Sequence, residues 1–195
     1  MWTLIPLGNP GPDYAATRHN LGRLLLLRWI QARGVAVKAL KEFPSGTLYG
    51  LTEGLQALVP ATYMNLSGLV LREALDAGLE PGRLVALHDD KDLPLGFGRF
   101  RPTGSDGGHN GMRSLLEALG SERLARLRLG IGPFTRPLHE FVLAEWSEAE
   151  WDVIGRLDGP FAEFLARLVR TADPEELPGQ VNGESFWGRE PSSPG

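Results

Sequence analysis

A histidine and an aspartate in this sequence could together activate a water molecule. His19 lies in the polar stretch LGNPGPDYAATRHNLG (7–22), and Asp89 comes at the end of the run RLVALHDD (83–90). A carboxylate at the end of a strand can orient an imidazole and stabilise its charged form. The chain contains no cysteine and no G-x-S-x-G motif, which removes the commonest side-chain nucleophiles. Water is therefore the nucleophile that this pair predicts.

Three asparagines follow predicted strands and could act beside that pair. Asn9 follows the first strand, Asn65 follows the run LQALVP, and Asn110 follows the run GFGRFRP. Asparagine in a loop commonly serves turn geometry. Amide groups at one edge of a sheet can instead hold a peptide backbone or a developing oxyanion without adding charge. The spacing leaves both interpretations open.

A metal site is a further alternative. Carboxylates and imidazoles bind divalent ions, and the sequence offers a cluster of them: His88, Asp89, Asp90 and Asp92, together with His19 or His109. Neither an H-E-x-x-H motif nor a P-loop is present. A turn cap before Leu93-Pro94 is the other interpretation of Asp92.

Positive charge is concentrated in one part of an acidic chain. The net charge is −4, but residues 91–136 hold eight lysines and arginines against four acidic residues. The glycine-rich loop TGSDGGHNG (103–111) precedes a predicted helix, so its backbone amides could meet an anion. Arg101 and Arg128 are the nearby cations that suit a phosphate, because a planar guanidinium binds it bidentately. Chance clustering on a solvated surface and a basic face for one phosphate-bearing ligand both fit this distribution.

The elements that must position these residues alternate between strands and helices. Apolar runs bounded by turn residues predict strands at 2–7, 47–52, 55–60, 83–90, 96–102 and 124–132. Helices are predicted at 21–34, 66–79, 112–120 and 161–172, and Ser147 with Glu150 forms a capping box that starts another. Ser67 is the expected N-cap of the second helix. Gly159-Pro160 should kink or break the helix that follows Ser147.

This alternation predicts an α/β fold, a single-domain three-layer α/β/α sandwich with a mixed, largely parallel central sheet. A hairpin at Glu53-Gly54 makes the sheet mixed. Because ligands gather beyond the carboxyl ends of strands in such sheets, the polar residues above should meet at one edge. We expect residues 1–173 to form the catalytic domain and residues 174–195, rich in Pro, Gly and Ser, to form a partly disordered tail.

The composition favours a cytoplasmic protein. The absence of cysteine fits a reducing compartment, and the first residues lack the pattern of a signal peptide. No apolar run exceeds four residues, as in LLLL (24–27), which is far too short to cross a bilayer. We therefore expect no membrane partner.

Five sequence blocks in order resemble the bacterial peptidyl-tRNA hydrolase family. They are LGNPGPDYAATRHNLG, PATYMNLSG, LHDDKDLPLG, GSDGGHNG and RLRLGIG, and HEFVL (139–143) also fits. The resemblance spans roughly residues 2–170. It implies hydrolysis of the ester that joins a peptide to the 3′ end of a tRNA. The expected enzyme is monomeric and cytoplasmic, and works without a metal or cofactor.

The resemblance also implies a role for each candidate residue. His19 would be the general base on water, with Asp89 as its orienting partner. The asparagines Asn9, Asn65 and Asn110 would hold the peptide and the reacting carbonyl. Tyr14 and Met64 would line the cleft beside the ester, and His109 would lie near the 3′ end of the tRNA. Arg101 and Arg128 would bind a phosphate of the tRNA.

Two residues depart from the family pattern and alter charge near the expected tRNA contact. Lys91 stands where leucine is common, and Asp106 stands where glycine or histidine is usual. The alternative function is that of an RNA-binding relative with the same fold and no catalysis. The presence of both His19 and Asp89 argues against that alternative.

Overall fold

A seven-stranded mixed sheet lies at the centre of the computed structural model, which describes residues 1–134 and 137–188. Its strands are β1 (Trp2–Pro6), β2 (Lys38–Phe43), β3 (Gly46–Thr52), β4 (Leu55–Pro60), β5 (Leu84–Pro94), β6 (Gly98–Arg101) and β7 (Ala125–Gly132). Their order across the sheet is β2-β3-β4-β1-β5-β7-β6. The central strands β4, β1, β5 and β7 are parallel, whereas β2, β3 and β6 form antiparallel pairs at the edges. The predicted mixed sheet is confirmed, and its parallel part is the centre.

Helices cover both faces of this sheet. Within the described residues they are α1 (Leu21–Arg33), α2 (Gly68–Asp76), α3 (Asn110–Leu119), α4 (Leu138–Val142), α5 (Glu148–Arg156), α6 (Asp158–Arg170), α7 (Leu177–Val181) and α8 (Glu184–Trp187). Neighbouring residues of β1 point to opposite faces. Leu4 joins the apolar cluster with α1, α5 and α6, while Ile5 joins the cluster with α2 and α3. The predicted three-layer α/β/α sandwich is therefore confirmed.

Some local expectations hold and others are wrong. The hairpin of β3 and β4 forms as predicted. Ser147 and Glu150 form the capping box of α5, and a new helix begins at Asp158 with Pro160 in its first turn. Ser67 lies at the N-cap position of α2 as expected, but the expected capping hydrogen bond is absent because a 3-10 turn runs directly into α2. Its hydroxyl donates to the Met64 carbonyl at 2.9 Å instead.

Strand β2 was not expected from the sequence. Its side chains are almost all exposed, so it lacks the apolar alternation that identifies a half-buried strand. Backbone pairing with β3 forms it at the sheet edge. Helix α3 also starts two residues earlier than predicted, because the His109 side chain caps it.

The segment after residue 173 packs on the edge of the sheet. Leu177 and Trp187, on α7 and α8, are buried in the same apolar cluster as α6. The Asn182 side chain accepts from the Phe100 N–H at 2.7 Å and donates to the Phe100 carbonyl at 2.9 Å, so it occupies the free backbone of β6. This stretch is more regular than its Pro- and Gly-rich composition suggests. Residues 189–195 of the expected tail lie outside the described residues.

Among the described helices, none combines the length and the apolar character needed to cross a membrane.

Candidate active site

A cleft of about 1170 Å³ opens where the central parallel strands end. The loops that carry Asn9 and Asn65, the end of β5 and the glycine-rich loop before α3 form its walls, together with α4. All ten predicted site residues line it: Asn9, Tyr14, His19, Met64, Asn65, Asp89, Arg101, His109, Asn110 and Arg128. The convergence follows from topology, because parallel strands put their carboxyl ends on one edge of the sheet.

His19 and Asp89 are directly bonded in this cleft. His19 lies in a 3-10 turn just before α1, and its Nδ1 is 2.9 Å and 3.0 Å from the two carboxylate oxygens of Asp89 on β5. A carboxylate can only accept, so Nδ1 carries the proton and Nε2 keeps a lone pair. The His19 side chain is 12% exposed and the Asp89 side chain 3%. The arrangement fits a base held in one tautomer.

A second imidazole binds the same carboxylate, which the sequence did not predict. His109 Nδ1 accepts the N–H groups of Gly111 and Met112 at 3.1 Å and 3.2 Å and so caps α3. Its Nε2 must then carry the proton, which it donates to Asp89 at 2.9 Å. The capping geometry that fixes the tautomer of His109 arises only when α3 is in place, so no pattern in the sequence could have revealed it.

Electrostatics keep Asp89 ionised despite its burial. Burial alone would raise the pKa of Asp89, but the charges and hydrogen bonds of His19 and His109 hold that pKa far below its usual range. For His19 the balance is similar. Burial lowers its pKa, and the charge and hydrogen bond of Asp89 outweigh burial, so the pKa is raised above 6.5. His19 therefore takes up a proton more readily than a free imidazole.

His88 lies beneath this pair as a neutral ring. Burial, and then the neighbouring His109, lower the pKa of His88 to about 3. Its Nδ1 donates to the Asp89 carbonyl at 2.8 Å, and its ring centre is 4.9 Å from that of His109. His88 supports the two residues above it without adding charge.

The candidate metal ligands are engaged in other contacts. Ligand atoms of His19, Asp89 and His109 lie within 4.8 Å of one another. An ion there would break both hydrogen bonds to Asp89 and would need a His109 nitrogen that already carries a proton or caps α3. Asp90 binds Arg128, and Asp92 pairs with Lys91. The residues form a hydrogen-bonded set, and we derive no step through a metal.

Asn9 is fixed from three sides. Its amide oxygen accepts the Met64 N–H at 2.8 Å. Asn20 holds its backbone, accepting from the Asn9 N–H and donating to the Asn9 carbonyl, both at 2.9 Å. Because the amide oxygen is occupied, the Nδ2 group of Asn9 is the part of this side chain that can donate a hydrogen bond in the cleft. No role was predicted for Asn20 from the sequence. In the structure its side chain holds the backbone of Asn9 in place.

The other cleft residues are more exposed. Asn65 and Asn110 are exposed, in a 3-10 turn before α2 and at the start of α3. Tyr14 packs edge-on against exposed Tyr63, with ring centres 6.1 Å apart. These side chains form an aromatic and amide-bearing rim around the buried His19–Asp89 pair.

Arginines gather on one face of the β6–β7 pair. Arg99 lies opposite Arg128, and Arg101 opposite Arg126. Arg128 Nε binds the Asp90 carboxylate, which fixes the guanidinium at the cleft. Arg126, which the sequence analysis did not single out, is buried and donates to the Ser105 carbonyl at 2.6 Å, anchoring the glycine-rich loop.

The two unusual charged residues have local partners. Lys91 pairs with Asp92. Asp106 accepts the Gly108 N–H at 2.6 Å and lies 3.6 Å from Arg113. The carboxylate of Asp106 therefore stabilises the turn of the glycine-rich loop by accepting this hydrogen bond.

Comparison with known proteins gives one consistent result. A family model described as peptidyl-tRNA hydrolase matches residues 3–185. Peptidyl-tRNA hydrolase of Thermotoga petrophila is 40% identical over 169 residues, which cover 85% of this chain and 89% of the relative. Peptidyl-tRNA hydrolase of Synechococcus sp. (strain CC9605) is 40% identical over 182 residues, covering 86% of each. The crystal structure of peptidyl-tRNA hydrolase from Acinetobacter baumannii superposes with a TM-score of 0.81 at 28% identity, covering 94% of this chain and 95% of that one.

Proposed function

This chain belongs to the peptidyl-tRNA hydrolase family, and from that premise we propose that His19 activates water to hydrolyse the ester between a peptide and the 3′ ribose of a tRNA. The enzyme is a hydrolase that recycles tRNA from peptidyl-tRNA. The observation that carries the proposed mechanism is the hydrogen bond from His19 Nδ1 to the buried Asp89 carboxylate. It leaves Nε2 of His19 as the group that can take a proton from water.

The reaction balances through this one base. His19 Nε2 takes a proton from water as the oxygen attacks the ester carbonyl, and the Asp89 carboxylate stabilises the imidazolium that forms. The tetrahedral intermediate then expels the 3′ oxygen of the ribose, which receives that proton. Water is a sufficient nucleophile because the substrate is an ester. A positioned base contributes about 10²–10⁴-fold to such a step.

The asparagines would hold the peptide and the carbonyl. Asn9 has its amide oxygen occupied by the Met64 N–H, so its Nδ2 is a fixed donor for the developing oxyanion. Asn65 and Asn110 would bind the peptide backbone. Backbone recognition fits an enzyme that accepts many peptides, because an amide reads no side chain.

The tRNA would meet the opposite end of the cleft. Tyr14, Met64 and His109 line the cleft, and the 3′ end and the ester would lie against them. Arg101 and Arg128 would bind a phosphate of the acceptor end, and such binding should weaken as salt rises. All residues to which the proposed reaction gives a role come from one chain, which supports a monomeric enzyme. Its substrate arises at translation, which supports a cytoplasmic location.

One assay tests this proposal. The release of a labelled N-acetylated aminoacyl group from tRNA is measured with the native chain and with His19→Ala, each with and without a chelator. We expect rapid, chelator-resistant release by the native chain. The rate in the variant should fall by about 10²–10⁴-fold while tRNA still binds. A native chain that binds tRNA and releases nothing would identify an RNA-binding relative. Release abolished by the chelator and restored by zinc would point to metal-dependent chemistry.

A further inference from the structure

A buried arginine sits next to the proposed base but outside the cleft. Arg18 immediately precedes His19 in the same 3-10 turn, and its side chain is 7% exposed. The described residues that line the cleft do not include it. The mechanism above therefore gives this charge no role, although burying a guanidinium is costly unless it is paired.

Among the described residues, the hydrogen-bond and ring partners of the Arg18 guanidinium all lie in one later segment of the chain. Its Nη2 donates to both oxygens of Glu150 at 2.7 Å and 2.9 Å, and its Nη1 donates to the Glu145 carbonyl at 2.9 Å. The rings of Phe141 and Trp146 lie 4.6 Å and 5.0 Å from its central carbon. Two guanidinium nitrogens thus reach two different acceptors while the guanidinium lies over two rings, a set of contacts that a lysine ammonium cannot reproduce.

The backbone joins the same two pieces. The Arg18 N–H donates to the Ala144 carbonyl at 3.1 Å, and Thr17 forms an isolated antiparallel bridge with Glu145. The turn that carries His19 is therefore fastened to residues 141–150 by main-chain and side-chain contacts together.

That segment also forms a wall of the cleft. Leu138, His139, Val142 and Leu143 line the cleft, while Phe141 and Trp146 are buried behind them. We call residues 138–146 the α4 wall. Its helix, α4, is only five residues long.

We propose that Arg18 is a positioning residue that clamps the α4 wall to the turn bearing His19. Substrate bound against the wall is thereby held at a fixed distance from the base. This role rests on the proposed function. His19 itself is held by Asp89, so loss of the clamp should loosen the wall more than the base. The expected signature is a rise in KM with little change in kcat.

The test uses three variants and one matched control. Arg18→Met removes the charge, Arg18→Lys keeps the charge without the planar guanidinium, and Glu150→Gln weakens the ion pair from the other side. Arg28→Met is the control, because Arg28 of α1 also pairs its guanidinium with a carboxylate, that of Asp158 on α6, and neither residue lines the cleft. Steady-state hydrolysis of N-acetylated aminoacyl-tRNA and amide hydrogen exchange are measured well below each unfolding temperature.

The proposal is supported if Arg18→Met raises KM about tenfold while kcat stays within about threefold of the native value. Arg18→Lys and Glu150→Gln should raise KM in the same way, but by less. Amide hydrogens of the α4 wall should exchange about tenfold faster in the clamp variants than in the native chain. In Arg28→Met their exchange rate should stay native. The proposal is overturned if KM and wall exchange stay native, if kcat falls at constant KM, or if Arg28→Met behaves the same way. Should Arg18→Met not fold, the Arg18→Lys and Glu150→Gln results decide by the same criteria. If the native chain is inactive, the proposed function fails, and exchange in the wall still decides whether the clamp exists.

Discussion

The change Asp89→Asn tests the core of the proposed mechanism, because it alters charge and hydrogen bonding with almost no change in shape. One carboxylate oxygen is shared by His19 and His109, each at 2.9 Å. An amide oxygen at that position could still accept both. The amide NH₂ would then take the place of the second oxygen, 3.0 Å from the Nδ1 of His19. Two N–H groups cannot bond each other, so His19 Nδ1–H loses this second acceptor and faces a donor there, which weakens the hold on the tautomer that leaves Nε2 free to act as a base.

The expected loss follows from that one bond. A hydrogen bond to a charged group is worth about 1.5–3 kcal/mol, which is about 10–150-fold in kcat/KM. Substrate contacts on the rim are untouched, so KM should change little.

The pH dependence of kcat/KM tests the role of Asp89 independently, because the direction of its shift in Asp89→Asn can be predicted. His19 must be neutral to act as a base, so kcat/KM rises with pH as His19 loses its proton. In the native chain Asp89 raises the pKa of His19 against the effect of burial. Without the carboxylate, burial lowers that pKa. The rise in kcat/KM should therefore move to lower pH in Asp89→Asn, although the plateau is lower.

The assay is kcat/KM for N-acetylated aminoacyl-tRNA across about pH 5–9, the range that brackets an imidazole. Asp92→Asn is the matched control, since this exposed carboxylate of the same strand pairs with Lys91 rather than with His19, and its loss should leave the profile native. A variant within about threefold of native activity, or a profile displaced to higher pH, would refute the assigned role of Asp89.

Three further changes probe other parts of the molecule. Arg128→Ala should raise KM, leave kcat near native and reduce the salt dependence of tRNA binding by about one phosphate contact, measured by titration at several salt concentrations. Asn20→Ala frees the backbone of Asn9 and should cost about 1–3 kcal/mol in urea unfolding, with kcat lowered more than KM is raised. Phe164→Ala empties a fully buried site in the α6 cluster and should cost about 3–5 kcal/mol by the same unfolding measurement, while kcat of the folded fraction stays native.

Much of the fold was predictable because strongly patterned elements carry their own signal. The capping box at Ser147 and Glu150 and the break at Pro160 are local and appear as predicted. The exposed strand β2 was missed because its pattern is weak and its pairing with β3 forms it. Ser67 occupies the predicted N-cap position without capping the helix, because the preceding 3-10 turn leaves its backbone in a helical conformation.

The sequence by itself determined which residues are available for chemistry. It supplied one histidine in a polar loop, one aspartate at the end of a strand, asparagines after three strands and arginines beside a glycine-rich loop. It also determined, through parallel strands, that these residues share one edge of the sheet.

Only the tertiary structure decided how those residues bond. The sharing of Asp89 by two imidazoles depends on α3 being capped by His109, and the fixing of Asn9 depends on Asn20. The clamp of Arg18 joins residues separated by 132 positions in the chain. Such contacts are set by distances of about 3 Å between side chains on different elements. The periodicity of the sequence predicts which face of an element a residue occupies, but it does not predict which side chain of another element that residue contacts.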